Sequence, residues 1–347
     1  MLYADRDGVL APRWEPSMAE ANDVRARMRG ALWGSFVADA YCLGSHWIYD
    51  AAAFASRFPD GIEGFDAPAP GHYHAGKPRG APTQYGEGAR LLLASLVAVG
   101  GFDPVAYGEA LFDFYAAPDC TSYVDKPTRH LLERRRRLPP EAAYGEDAAL
   151  ADEQNVTTSR LTPLVVRYAG SPALMLHVDR ATRVLQNHDR AVAYACAQAK
   201  LLSALLAGTP LPQAVGQLRS LAAGHTPLGA ELVEMIDDVE AAAKLDVAAA
   251  TDRFGRACGL QKAFPAALHT ALAYADDYPG AVRACAEARG DNASRAMLIG
   301  AWLGASLGID AVPPAWRERL IDRVDLERSI EALLEAAGRT SSPRATH

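Results

Sequence analysis

The stretch Gly290-Asp291-Asn292-Ala293-Ser294-Arg295-Ala296-Met297-Leu298-Ile299-Gly300-Ala301-Trp302-Leu303-Gly304-Ala305-Ser306-Leu307 decides the fold. From Arg295 onward it is an apolar run with no strand-like alternation, and its length is that of a helix rather than a strand. Gly300 and Gly304 stand four apart, on one helical face. A glycine inside a helix costs about 1 kcal/mol against alanine, so two on one face point to the close approach of another helix. Ahead of the run, a glycine followed by short polar side chains marks a helix start, with Asp291 or Asn292 capping free N–H groups. The same loop also offers Asp291 and Ser294 oxygens to a cation, or a helix N-terminus to a phosphate.

Outward from this run the chain keeps the same character. Arg190–Ala207 is rich in alanine and leucine and closes on Gly208 and Pro210, which predicts a buried central helix. Helices are also expected at Asp23–Leu43, Ala89–Val99, Pro104–Tyr115, Thr128–Arg135, Leu228–Lys244 and Trp316–Ala337. His188 with Asp189 reads as the start of the Arg190 helix, the Asp suiting its dipole. Alternating strand patterns are nearly absent, as are internal repeats and any Pro/Gly-rich linker. The fold class is therefore all-α. A single compact multi-helix domain is expected over residues 23–337, with an irregular arm at 1–22 and a disordered tail at 338–347.

Composition narrows the function. A net charge of -7 over 347 residues, with a pI of about 5.7, argues against a nucleic-acid partner, which needs a basic stripe. The one basic run, Arg134 to Arg137, reads as a solvated helix end. Five scattered cysteines without Cys-x-x-Cys spacing are the pattern of reduced thiols, so a cytoplasmic location is expected. No apolar run reaches the roughly 20 residues of a membrane span.

Three loop regions interrupt the helices: Gly44–Pro82, Asp152–Pro163 and Ala288–Ser294. Asp291 lies within the last. Ala81-Pro82-Thr83-Gln84-Tyr85-Gly86-Glu87 precedes an apolar helix, and Thr83 suits its N-cap. Asp39 falls within the apolar stretch Arg29–Ala40, where a carboxylate needs either backbone N–H partners or a site. His46, Trp47, His72, Tyr73 and His74 gather imidazoles and aromatic rings in one loop region. Those histidines read as solvated side chains, a zinc pair, or an acid and base. Trp47, Tyr73 and Tyr85 offer ring faces to an adenine or pack as a lid.

Taken in order, these places resemble the ADP-ribosylglycohydrolase family from Arg29 to about Gly308. That family opens with a small-residue helix carrying Gly-Asp-Ala-Leu-Gly, here Ala38-Asp39-Ala40-Tyr41-Cys42. A Thr-Asp-Asp-Thr loop follows, here Thr83-Gln84-Tyr85, and Gly-Asp-x-Asp-Thr closes the set, here Gly290-Asp291-Asn292-Ala293-Ser294. Ser159-Arg160-Leu161-Thr162-Pro163-Leu164 and Gln186-Asn187-His188-Asp189 look familiar as well. Tyr123-Val124-Asp125-Lys126 and Gly290–Arg295 look closer to the branch holding the jellyfish J1 crystallins.

The resemblance implies hydrolysis of an N- or O-glycosidic bond to an ADP-ribose or related nucleoside-type group, at a centre of two magnesium ions. Of its ligands Thr83, Asp291 and Ser294 persist, whereas Gln84, Tyr85 and Ala293 stand where the family has aspartates. His46 stands where the family has an early glutamate. One carboxylate cannot offset the repulsion between two ions, so one magnesium at most is expected. Glu87 is expected on the helix surface. The implied roles are Asp291, His46 and Asp39 in catalysis, and Trp47, His74, Tyr85 and Asn292 against a small-molecule or ADP-ribosylated substrate. The alternative is a non-catalytic ADP-ribose-binding or crystallin-like structural protein.

Overall fold

The Asn292–Leu307 helix is buried from Asn292 to Ala305, and its principal neighbour is the Met18–Cys42 helix. The glycine pair has a counterpart there. A Cβ on Gly304 would lie 2.1 Å from the Gly30 carbonyl oxygen, and one on Gly300 would lie 2.2 Å from that of Gly34. Gly30 and Gly34 are also four apart, so two glycine-lined faces meet backbone to backbone. The expected close approach is therefore present, and its partner is the chain's first helix.

The computed structural model describes residues 18–144, 149–223 and 226–340. Among these the chain is all helix and connection, with two isolated bridges, Leu150 to Gln186 and Gln154 to Gly259, and no strand. Asp189–Leu206, Leu260–Ala273 and Tyr278–Glu287 pack around the central pair. Trp302, fully buried, donates its indole N–H to Gln198. Gln84–Val99 packs beside the first helix and against Arg323–Thr340. Among the described residues, no helix is long and apolar enough to cross a membrane.

Most expected helices form within a few residues of their predicted bounds, and His188 caps Asp189–Leu206 by accepting from Arg190 N at 3.2 Å. The expected Trp316–Ala337 helix is two, Pro314–Arg317 and Arg323–Thr340. Between them the chain leaves helical geometry to lie on Gly80: Ile321 N donates to Gly80 O, and a Cβ on Gly80 would sit 1.9 Å from Arg319 O. The stretch 152–163, read as a loop, holds helix Val156–Arg160 and the start of Thr162–Arg167. Both are buried throughout, so packing overrides the weak helix propensity of Val-Thr-Thr-Ser. Arg134, expected in solvent, is buried and donates to Val184 O at 3.1 Å. The expected arm lies outside the described residues up to 17, and the tail from 341; the first helix begins at Met18 and the last ends at Thr340.

Candidate active site

The close crossing sets the site. It brings the end of the first helix, with Asp39 and the following His46-Trp47 turn, beside the start of Asn292–Leu307. Trp47 N donates to Gly290 O at 2.8 Å and Gly290 N to Ile48 O at 2.9 Å, tying the two loops together. Gly290 is required: its φ is +68°, and a Cβ would meet Arg256 O at 2.5 Å.

Asp291 occupies the N-cap position but makes no side-chain cap bond. Its carboxyl group turns instead toward the aromatic residues. Oδ2 accepts from Tyr85 Oη at 2.8 Å and Trp47 Nε1 at 3.2 Å, while Oδ1, fully buried, has no partner. Ser294 Oγ, one turn on, is also buried without one. Tyr85, which stands where the resemblance leads one to expect an aspartate, thus presents a neutral hydroxyl to Asp291. Burial and the neighbouring Asp291 push its phenol well above the usual range.

Asp39 and Thr83 hold each other. Thr83 donates its hydroxyl and its N–H, the latter at 2.8 Å, to the Asp39 carboxyl. The same hydroxyl accepts from Tyr85 N at 3.2 Å, the expected cap of Gln84–Val99. Burial raises Asp39 to about 6, and the Thr83 bonds, Lys77 and Arg90 hold it from rising further. Glu87, expected on the surface, is buried between Lys77, Ser122 and Tyr115.

The histidines are packed rather than solvated. Asn292 Nδ2 donates to Ser45 Oγ and Ala286 O, and His46 Nδ1 lies 3.1 Å from Asn292 Oδ1 and accepts from Ala293 N at 3.4 Å. His72 Nε2 donates to His46 O at 2.8 Å, and its Nδ1 accepts from His74 N. His74 Nε2 meets Gln84 Oε1 at 2.8 Å. Burial lowers His46 to about 3, so no imidazolium stands ready as an acid near neutrality. Burial, with His46, Lys77 and His72 nearby, lowers His74 to about 2.

Over this cluster lies Trp47, half-buried, with a φ of 59°. Its ring stacks on His46 at 4.2 Å and His74 at 5.3 Å, and meets Tyr123 and Tyr73 edge-on. Trp47 therefore packs as a cover with Tyr123 and with Tyr73, which is 71% exposed, whereas Tyr85 is buried with its hydroxyl on Asp291. Tyr123 and the buried Arg160, which donates to Gln84 O at 3.0 Å, carried no assigned role in the sequence. An arginine inside Thr-Thr-Ser-Arg-Leu-Thr-Pro-Leu was the available signal. A cavity of about 470 Å³ lies elsewhere, between Gln84–Val99 and the last helix, and none of these histidines nor Asp291 lines it.

The residues present do not fit a two-ion centre. Asp39 is committed to Thr83, Glu87 to Lys77, and Asp291 Oδ2 to two donors. Of the ligands expected from the resemblance, Asp291 Oδ1 and Ser294 Oγ are the atoms without a partner. Among the described residues, no group of three His, Cys, Asp or Glu could hold a metal.

The buried groups fix the pH response. Below about pH 6.5 the unfolded chain protonates His46 and His74, which the folded chain resists down to about 3 and about 2. Stability falls with acid across that window. Asp39 acts oppositely: raised to about 6, it binds its proton in the folded state first and gains stability downward until about pH 4. Two protons against one leave a loss of about 1.4 kcal/mol per pH unit between about pH 6 and 4 from these groups. Urea midpoints should fall over that range, and Asp39→Asn should steepen the fall. A flat wild-type profile would contradict the assignment.

Comparison with known proteins agrees with this layout. The ADP-ribosylglycohydrolase family model matches residues 20–343. Crystallin J1A of Tripedalia cystophora is 29% identical over 320 residues, covering 86% of this chain and 93% of the relative. Crystallin J1B of the same organism is 27% identical, covering 87% and 94%. A solved structure described as an ADP-ribosylglycohydrolase-related protein complex shares the fold, with a TM-score of 0.69 at 23% identity, over 91% of this chain and 99% of that one. With nearly its whole described length matched and the motif-bearing loops assembled around one crossing, this chain belongs to the ADP-ribosylglycohydrolase family.

Proposed function

We propose that the chain recognises an ADP-ribose or related nucleoside-type group at Asp291 and hydrolyses its N- or O-glycosidic bond. The observation that carries this is the state of Asp291: one buried carboxyl oxygen held by two donors, the other by none. A buried acceptor left unsatisfied costs about 1–3 kcal/mol, so Oδ1 marks where a proton-bearing group belongs. Tyr85 and Trp47 orient the carboxyl, and Oδ1 takes a proton from the attacking water. Water adds to the anomeric carbon as the bond to the leaving nitrogen or oxygen breaks, and the proton passes to the leaving group. His46 orients the sugar hydroxyls. A single magnesium, if bound, would be held by Asp291 Oδ1 and Ser294 Oγ and would polarise substrate oxygens; no step above runs through it. We place the reaction in the cytoplasm, on the strength of the scattered cysteines.

Product release from ADP-ribosylated arginine, ADP-ribosylated serine and O-acetyl-ADP-ribose tests this, with magnesium, manganese, zinc or a chelator. At least one should be cleaved, and Asp291→Ala should cut the rate about 100-fold or more. No release from any of the three would end the hydrolase reading. The cover of Trp47, Tyr73 and Tyr123 and the likeness to the crystallins favour a second reading, a binding or structural protein on this fold. Turnover lost on Asp291→Ala would sink it.

A further inference from the structure

The cavity between Gln84–Val99 and the last helix stands apart from the Asp291 cluster. At about 470 Å³ it has the size of a small-molecule site, for which about 300–1,000 Å³ is usual. Leu91, Ala94, Phe114, Ile321 and Leu326 form its apolar wall, and Phe114 and Ile321 are among the large apolar side chains that stay exposed. An apolar wall held open to water favours an apolar occupant.

The polar groups of the cavity decide what else that occupant carries. Lys77 is closed by Glu87 and by Pro82 O. Glu87 accepts from Ser122 and Tyr115 as well, and Ser329 donates to Asp325 O at 3.0 Å. Arg90 differs from these. Its Nη1 donates to Asp322 at 2.6 Å, while Nε and Nη2, both buried, have no partner. Those two nitrogens form one edge of the guanidinium, an edge that matches the two oxygens of a carboxylate. Burial presses the guanidinium below its ordinary value, and Asp322, Asp39 and Glu87 do not fully offset this. One further negative charge on the open edge would. A doubly charged head such as phosphate suits the cavity less, because Asp322 and Asp325 also line it.

We propose that this cavity binds a small amphipathic monocarboxylate, with the carboxylate on the Nε–Nη2 edge of Arg90 and the apolar body against Leu91, Phe114, Ile321 and Leu326. Binding turns the flexible Arg90 side chain so that the covered edge meets the ligand, while Asp322 keeps Nη1. The proposal is independent of the ADP-ribose reading above.

Calorimetric titration of the full chain with octanoate, 1-octanol and octylamine tests it. The three share one apolar chain and differ in the head. Octanoate should bind about tenfold tighter or more than the other two, as a charge-assisted pair of hydrogen bonds implies. Arg90→Met should weaken octanoate about tenfold and change octanol by less than about twofold. Ala94→Trp, at an exposed position on the cavity wall, should fill the space and weaken octanoate about tenfold or more, whereas Ala98→Trp, exposed one turn further on and outside the lining, should leave it unchanged. Equal binding of octanoate and octanol by the wild-type chain would overturn the proposal even if Arg90→Met fails to fold. Octanoate binding that survives Ala94→Trp would place the ligand elsewhere and overturn it too, as would no octanoate binding at all.

Discussion

Gly304→Ala should destabilise the protein by about 3 kcal/mol, near the upper end of overpacking costs, and Gly34→Ala should cost as much. The added methyl carbons would lie 2.1 Å and 2.2 Å from carbonyl oxygens of the facing helix. Rotating a side chain relieves neither contact, because the obstacle is backbone. The two helices must separate, and Asn292–Leu307 carries the N-terminus on which Asp291 and Ser294 sit. Gly216→Ala supplies the control. It lies on the exposed face of Leu211–Ala222 with nothing near its missing Cβ, so alanine there should add about 0.5–1 kcal/mol. Urea unfolding followed by circular dichroism measures all three. If Gly304→Ala and Gly216→Ala move the midpoint alike, close packing is not why the glycines are there.

That crossing was half legible in the sequence. Gly300 and Gly304 announced a close neighbour, because helix periodicity shows which residues share a face. Which helix came to meet them was not legible, since pairing depends on contacts far apart in sequence. The same limit governs the site. Asp291, Tyr85, Trp47 and His46 stood out by type and context, yet Asp291 resembled a cap residue until its side chain proved to face Tyr85 and Trp47. Thr83 resembled a cap and is one, while also holding Asp39. Glu87 carried no local sign of burial, because its partner Lys77 comes from a loop ten residues earlier. Short buried helices such as Val156–Arg160 escaped because their residues are weak helix formers held by packing.

Asp125→Ala should cost about 3–5 kcal/mol, the loss expected when one member of a buried ion pair is removed. Arg160 is fully buried, and its Nη2 lies 2.5 Å from Asp125 Oδ2. Burial alone would press the guanidinium toward neutrality, and Asp125 with the nearby Tyr115 and Tyr107 more than reverses this. The room for Arg160 is made by Gly88, where a Cβ would come within 2.4 Å of Nε. Asp125 also caps its own helix by accepting from Thr128 N at 2.9 Å. Alanine therefore removes both charge and cap, whereas Asp125→Asn keeps an acceptor for the cap and removes only the charge. If the asparagine variant is as stable as wild type, the pair contributes little and the cap accounts for the alanine loss. If the pair dominates, Asp125→Asn should lose most of what alanine loses, and Arg160→Met added to it should recover a large part by removing the uncompensated charge. The site should respond in step. Arg160 Nη2 holds Gln84 O at the head of the helix that carries Tyr85, so freeing the guanidinium loosens the hydroxyl that fixes Asp291. ADP-ribose affinity should then fall in Asp125→Ala even at temperatures where the variant stays folded. Unchanged affinity in the folded variant would mean that Tyr85 holds Asp291 without help from Arg160.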